Sequence, residues 1–195
     1  MASIFAIHSV GDSIVKYLRD TYPEPLRNDH TCEFRLLSSG ELEEATSMPT
    51  AVTLYLYRVV VDENVRNEPD RRNPSATPYP LSLCLYYLVS IWAEDALAEH
   101  TITAWVMSQL HQHPILDQSN LSSTGDWDDN DQIQIVPIDM SNEDMMRLWD
   151  ALTPSYRLSL PYLVRVVRID PEAEVRGRPV VATRYSYEQQ GAEHE

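Results

Sequence analysis

The sequence is poor in glycine, cysteine and lysine, and the first two scarcities each exclude a class of protein. Of the 195 residues, five are glycine, two are cysteine and one, Lys16, is lysine. Two cysteines, Cys32 and Cys84, are too few for the disulfide scaffold of a small secreted domain. The few, scattered glycines form no P-loop, no G-x-G-x-x-G and no G-x-S-x-G. The sequence therefore lacks the common motifs of nucleotide-binding proteins and serine hydrolases.

Long hydrophobic runs are also missing. The longest apolar stretch covers residues 81–93, which is shorter than the roughly 20 residues of a membrane-spanning helix. The first 20 residues have no basic start, and His8, Gly11 and Asp12 interrupt their apolar residues. They therefore do not resemble a signal peptide. We expect a cytoplasmic protein with no direct membrane insertion.

Positive charge is scarce and unevenly placed. The chain has 15 basic and 30 acidic residues, a formal charge of −15. This excludes general electrostatic binding to nucleic acid or anionic membranes, which needs a basic surface. Residues 81–155 contain 12 acids and one base, net −11, whereas residues 156–195 contain six of each. The acidity therefore belongs mainly to the middle of the chain, and the end is arginine-rich and charge-balanced.

Hydrophobic spacing predicts intermixed helices and strands. The first helix is expected over residues 4–20 with Ser3 as its N-cap. Residues 38–50 are interpreted as a loop, and the proline-rich residues 62–80 as a mobile loop. Further helices are predicted over residues 94–111 and 141–152, and strands over residues 31–37, 51–61, 81–90, 132–138, 161–170 and 180–187. The predicted fold class is α+β (α/β-like), a single domain with a mixed, mostly antiparallel sheet of about five strands flanked by helices.

An acidic run at residues 126–131 invites a calcium interpretation. Counted from Asp126, an EF-hand loop would need glycine at position 6 and glutamate at position 12. Those positions hold Asp131 and Pro137, so the motif fails. We interpret the run as a solvated acidic loop, and we predict no cofactor.

Histidines and carboxylates on the helix predicted at residues 94–111 invite a metal-site interpretation. His100 and His111 would lie about 16 Å apart at a 1.5 Å rise per residue, too far to share an ion. His111 and His113 could converge only if the helix ended early. Asp95 and Glu99 form an i, i+4 acidic pair, which on an exposed face is merely solvated. The two cysteines are predicted to be small core residues and not nucleophiles.

Several segments resemble one protein family in their amino-acid sequence and in their order along the chain. They are PLSLCLYYL at residues 80–88, LAEH at residues 97–100, MSQLHQHPIL at residues 107–116 and LPYLVRVVRID at residues 160–170. Together they are similar to the cap, or tail-terminator, proteins of contractile injection systems, which are phage-tail-like particles such as the antifeeding prophage. The resemblance spans residues 5–187, and we expect a cap-like domain over residues 1–187 with a flexible tail over residues 188–195.

The resemblance implies a structural role and no enzymatic activity. Such proteins form a ring of six copies that ends the inner tube and the surrounding sheath and anchors the sheath end. The implied partners are further copies of the chain and the tube and sheath proteins, and the implied location is the assembled particle. We predict that the contacts come from an arginine-rich set and an acidic set. These are Arg157, Arg165, Arg168, Arg176, Arg178 and Arg184, and Asp126, Asp128, Asp129 and Asp131.

Two other functions remain open from the residues alone. The first is an acidic protein-binding module, such as a DNA mimic that occupies a basic groove, which predicts a contiguous negative surface. The second is a metal-dependent enzyme that uses His100 or His111 with Asp95 and Glu99, which predicts a bound metal and a concave pocket.

Overall fold

The computed structural model describes residues 2–45, 48–62 and 80–169. These residues form five α-helices and six β-strands. The helices are α1 (Ala6–Thr21), α2 (Glu24–Asp29), α3 (Ser39–Glu44), α4 (Ala96–Gln112) and α5 (Asn142–Asp150). The strands are β1 (Glu33–Leu37), β2 (Ala51–Val61), β3 (Leu81–Trp92), β4 (Ile115–Leu116), β5 (Ile133–Pro137) and β6 (Ser159–Ile169).

One mixed sheet contains all six strands in the order β1-β2-β3-β6-β5-β4. β1 pairs with β2 in parallel, and every other pair is antiparallel. This confirms the predicted α+β class with a mixed, mostly antiparallel sheet. β4 was not predicted, because its two residues are too short to show a period of two.

The centre of the sheet is the long ladder of β2 and β3. It runs from Ala51 opposite Trp92 to Val61 opposite Leu83, with a bulge between Leu56 and Arg58. Both strands are rich in the β-branched and aromatic residues that favour strands buried on two faces. On β3, Leu85 and Leu88 point to opposite faces, and both are fully buried.

The first face of the sheet is covered by α1 and α4. Val10, Ile14 and Leu18 of α1 are buried there, as their spacing predicts. The buried stripe of α4 is Ala98, Ile102, Val106 and Leu110. Leu97 of the same helix lies outside this stripe, because its side chain is 71% exposed. Ser3 is not the N-cap of α1, since the helix begins after Phe5 and has no side-chain cap.

The second face is covered by α3 and α5, whose Leu42, Met145 and Trp149 pack against Leu88 and Trp92. The prediction of a loop over residues 38–50 was wrong where α3 forms. This helix has only six residues, so its apolar period is too short to read. Its start nevertheless carries a capping box, in which Ser38 accepts from the Glu41 amide and Glu41 accepts from the Ser38 amide.

The start of α2 accounts for a further difference. α2 was not predicted, because its six residues are too few to show an apolar period. Pro23 is its N-cap, and Pro25 lies in its first turn, where proline is well tolerated. The helix predicted over residues 141–152 forms as α5, and Ser141 caps it, since its hydroxyl accepts from the Asp144 amide at 3.1 Å.

Replacement of Ser38 by alanine is expected to lower the free energy of unfolding by about 1 kcal/mol. The Glu41 amide loses its acceptor, and α3 is too short to form without its cap. Urea titration of the two proteins measures the change. Ser39→Ala is the matched control, because Ser39 is also exposed but makes no capping bond. An equal loss in both variants would contradict the prediction.

Three predictions fall wholly or mostly outside the described residues. They are the strand at residues 180–187, the tail at residues 188–195 and nearly all of the loop at residues 62–80. The domain limits of 1–187 likewise stay a prediction.

Candidate functional site

A polar cleft lies where β4, β5 and β6 meet on the second face of the sheet. Its cavity has a volume of about 400 Å³, and its walls include Ile115, Gln134, Arg165 and Arg168. Strand pairing brings these side chains together, because Ile115 lies opposite Gln134 and Gln134 lies opposite Arg165. Residues directly opposite on neighbouring strands project to the same face. We call this cavity the arginine cleft.

The arginine cleft unites members of both predicted contact sets. Arg165 and Arg168 line it from β6, and Asp131 lines it from the loop before β5. Both arginines are exposed, and among the described residues neither forms an ion pair within 4.0 Å. Two guanidinium groups on one concave surface suit bidentate binding of carboxylates. The cleft is therefore a candidate contact site for an acidic segment.

The acidic loop of residues 117–131 is held against α1 by two buried serines. Ser9 Oγ donates to the Ser122 carbonyl at 2.9 Å and accepts from Trp127 Nε1 at 3.0 Å. Ser13 Oγ accepts from the Ser122 amide at 2.7 Å. Two serines four residues apart within an apolar helix stripe were the available sequence signal for this contact. The loop is thus a built part of the domain.

Gly125 is required by this contact. A Cβ at this position would overlap the Trp127 indole and would lie 2.8 Å from Ser9 Oγ. The next residue, Asp126, adopts a left-handed backbone with φ of 53°, which aspartate tolerates better than most residues. The turn at Ser123–Gly125 therefore depends on a residue without a side chain.

Carboxylates of the acidic loop are engaged mostly in local hydrogen bonds. Asp131 accepts from the Asp128 amide at 2.8 Å, and Asp129 accepts from the Gln118 side chain at 2.7 Å. Ser119 bonds to Asp117 through its hydroxyl and its amide, and these bonds lower the pKa of Asp117. Among the described residues, no group of three or more His, Cys, Asp or Glu side chains could hold a metal ion.

Arg157 is not near the cleft. Its guanidinium lies 5.0 Å from the centre of the Trp92 ring, at the end of β3 that pairs with Ala51. Arg168 lies opposite Ser82, ten residues away along the same strand, which corresponds to about 33 Å. The structure thus separates Arg157 from Arg165 and Arg168. Arg176, Arg178 and Arg184 lie outside the described residues.

The residues of the alternative metal-site interpretation have ordinary structural positions. Asp95 is the N-cap of α4 and accepts from the Ala98 amide at 2.9 Å. Glu99 lies 3.9 Å from the exposed His100 side chain. His113 is the C-cap of α4 and packs beside the Tyr17 ring. The capping role of Asp95 was missed, because its spacing to Glu99 was interpreted only as a carboxylate pair.

The two thiols are half-buried, and their environments suppress ionisation. Burial is the main cause that raises the pKa of Cys32 from 9.0 to about 12; a backbone hydrogen bond to Val52 opposes it and the nearby Glu33 adds to it. Burial also raises the pKa of Cys84, helped by Asp62 and opposed by Arg165. The thiolate is the reactive form, so both residues are poor nucleophiles.

At pH 8 both thiols are expected to react with a disulfide reagent many times more slowly in the folded chain than in urea. The rate of the reaction, followed by absorbance at 412 nm, tests this expectation. Equal rates with and without urea would contradict it.

The raised pKa of Cys32 also makes the stability of the fold depend on pH. The neutral thiol of Cys32 favours folding below pH 9, and this contribution is lost as the pH rises from 9 towards 12.

Comparison with known proteins assigns the chain to a family. Residues 9–183 match the family described as the Pvc16 N-terminal domain. The chain belongs to the Pvc16 N-terminal domain family. This confirms the resemblance to cap proteins seen in the sequence. No curated protein sequence matches the chain.

Two solved structures share the fold of this Pvc16 N-terminal domain. One is the PVC sheath/tube terminator of an extracellular contractile injection system in its extended state, with a TM-score of 0.57 and 19% identity over 96% of this chain. The other is the anti-feeding prophage cap, a tube-terminating cap, with a TM-score of 0.57 and 17% identity over 91% of this chain. The chain covers 65% and 60% of those two chains, so it spans less than two thirds of either.

Both matched proteins are described as terminating structures of an injection particle, one as a sheath/tube terminator and one as a tube-terminating cap. The prediction of a structural, non-enzymatic protein agrees with this family. Within the described ranges, no helix combines the length and apolar content that crossing a bilayer requires.

Proposed function

We propose that the chain is the terminating cap of a contractile injection system and that it acts as a ring of six copies on the end of tube and sheath. The observation that carries this proposal is the family match over residues 9–183. The fold shared with two solved terminators supports it, because the likeness extends over nearly the whole chain.

A ring places physical demands on its subunit. Head-to-tail contacts that close by rotation need two different, complementary surfaces on each copy. The arginine cleft supplies a positive, concave surface at β4, β5 and β6. The acidic loop supplies exposed carboxylates at Asp126, Asp128 and Asp129. We propose that the cleft binds an acidic segment of a neighbouring copy or of the sheath.

Co-expression with the tube and sheath proteins of the same particle tests the proposal. With the chain present, negative-stain images should show tails of uniform length that end in a six-fold plug. Without it, tail lengths should spread and the ends should be open. Equal length distributions and equal ends in both cultures would contradict the cap function.

A further inference from the structure

In the part of the chain that the structure describes, one edge of the sheet is only half covered. β1 pairs with β2 only from Glu33 opposite Ala51 to Leu37 opposite Tyr55. The chain then turns away into α3, while β2 continues to Val61 with β3 on its other side. Among the described residues, no strand pairs with this outer side of residues 56–61. We call it the open edge. Unpaired strand edges are templates for another strand.

The opposite edge of the sheet is closed by familiar devices. β4 has only two residues, and the Pro114 carbonyl accepts from the Ile135 amide at 2.7 Å. β5 ends in Pro137, which has no amide hydrogen to offer. Short strands and prolines are the usual protection of an edge. By contrast, the open edge has no proline, and three of its residues are valines in sequence, Val59, Val60 and Val61.

An apolar groove adjoins the open edge. Its volume is about 530 Å³, and Ile4, Phe5, Leu36 and Leu56 contribute to its walls. Ile4 is 70% exposed and Phe5 59% exposed. Exposed apolar side chains gathered in one place mark interaction sites.

The same face of the sheet carries further exposed apolar residues beyond the groove. Val59 lies opposite Leu85 and Val61 opposite Leu83. Leu83 and Leu85 are buried on the face that α1 covers, so Val59 and Val61 project to that face too, yet both are exposed. Arg58 does not block the edge, because its guanidinium lies over the Tyr86 ring at 5.2 Å. Free backbone groups beside an apolar groove are the arrangement that binds an added strand.

We infer that the open edge receives residues 180–187 of a neighbouring copy as an added strand. This deepens the proposed function, on which it rests, by assigning a contact between copies of the ring. The segment reads VVATRYSY and is predicted to be a strand. Its alternate positions Val181, Tyr185 and Tyr187 would face the apolar groove.

Charge and reach favour this occupant. The groove is bordered by Asp12 and Glu41, whereas residues 176–187 contain three arginines and no acid. β6 ends at Ile169, opposite Leu81, at the same end of the sheet as Val61. The 11 residues from Ile169 to Val180 can span about 36 Å. A strand added at the open edge would lie three strand spacings from β6, about 14 Å away. The linking residues are therefore long enough to reach another copy.

Peptide binding tests the inference on the full chain. The host carries Val181→Asp and Tyr185→Asp, which leaves its own open edge vacant. A fluorescent peptide of residues 178–187 should bind it saturably, and adding Val59→Lys and Val61→Lys to the host should weaken binding at least about tenfold. Leu97→Lys is the matched control, because Leu97 is 71% exposed on α4 and does not line the apolar groove. No saturable binding below about 1 mM would overturn the inference.

Mixing copies tests whether the strand comes from a neighbour. Chains with Val59→Lys and Val61→Lys keep a competent tail, and chains with Val181→Asp and Tyr185→Asp keep a competent edge. Native mass spectrometry should find monomers in each sample alone and one-to-one pairs in the mixture. If the peptide binds but the mixture stays monomeric, the segment occupies its own edge and the inference is wrong. Tail capping is a separate readout, so normal strand binding with uncapped tails would contradict only the cap function.

Discussion

Replacing Arg165 and Arg168 with glutamate is expected to abolish docking of the chain onto tail ends while leaving the fold intact. Both side chains are exposed at the arginine cleft and form no ion pair within the described ranges. Reversal of two charges turns attraction for an acidic partner into repulsion, which costs several kcal/mol across an interface. We expect the fraction of capped tails to fall at least about tenfold, which corresponds to about 1.4 kcal/mol.

Two control variants separate charge from geometry and from general acidity. Arg147→Glu reverses another exposed charge, on α5, at a site paired with Glu143 and away from the cleft. It should cap normally. Arg165→Lys with Arg168→Lys keeps the charge but loses the planar fork, so capping should fall only in part. Electron microscopy counts capped tails, and thermal unfolding verifies the fold. Equal capping by the double glutamate variant and the parent would refute a contact at the cleft.

Salt should distinguish docking from folding. Exposed charges are screened within about 8 Å at physiological ionic strength, whereas the core is apolar. Raising the salt concentration should therefore release caps from tails before it changes the unfolding temperature. In the same salt titration, the variant with Arg165→Lys and Arg168→Lys should show fewer capped tails already at low salt.

Replacement of Trp92 by alanine is expected to lower the free energy of unfolding by about 4 kcal/mol, a large part of the 5–15 kcal/mol that a domain typically has. Trp92 is 2% exposed on the second face of the sheet. Its ring packs edge-on against Trp149 with centroids 6.3 Å apart, and its Nε1 donates to Thr53 Oγ1 at 2.9 Å. Arg157 covers the ring from a third side. The change leaves a cavity that α5 cannot fill.

The conservative variant Trp92→Phe separates the contribution of ring packing from that of the hydrogen bond to Thr53. It keeps an aromatic ring and loses the bond to Thr53, whose hydroxyl still donates to the Ser90 carbonyl. We expect a loss of about 1–2 kcal/mol for this variant. Urea denaturation followed by circular dichroism measures both. A loss below 1 kcal/mol for the alanine variant would show that Trp92 does not hold α5 on the sheet.

The long elements could be predicted because their patterns repeat often enough to be read. β2 and β3 are continuous runs of strand-forming residues, and α1 shows its buried face through Val10, Ile14 and Leu18. Short elements such as α2 and α3 do not complete a period, so their capping residues were the only signals. Ser38 followed by Glu41 was such a signal, and it was overlooked in an acidic, proline-flanked stretch.

The candidate site depends on pairing that no local pattern contains. Arg165 and Arg168 were chosen for their residue type, but the cleft they line exists because β6 adds to β3 and β5 adds to β6. Asp131 joins them through the same pairing. Arg157 has the same residue type only a few positions earlier, yet it lies over Trp92 at the other end of the strand. Strand order decided which arginines share a surface.

The difference between the two sheet edges limits how copies that are not yet assembled can associate with one another. If both edges could accept a strand, each added copy would present a fresh template, and the protein would grow into fibres. Pro114, Pro137 and the two-residue β4 shut one side. Two copies that meet wrongly, open edge to open edge, therefore form a finite pair and stop. Direct edge-to-edge pairing of free subunits is therefore limited to two copies.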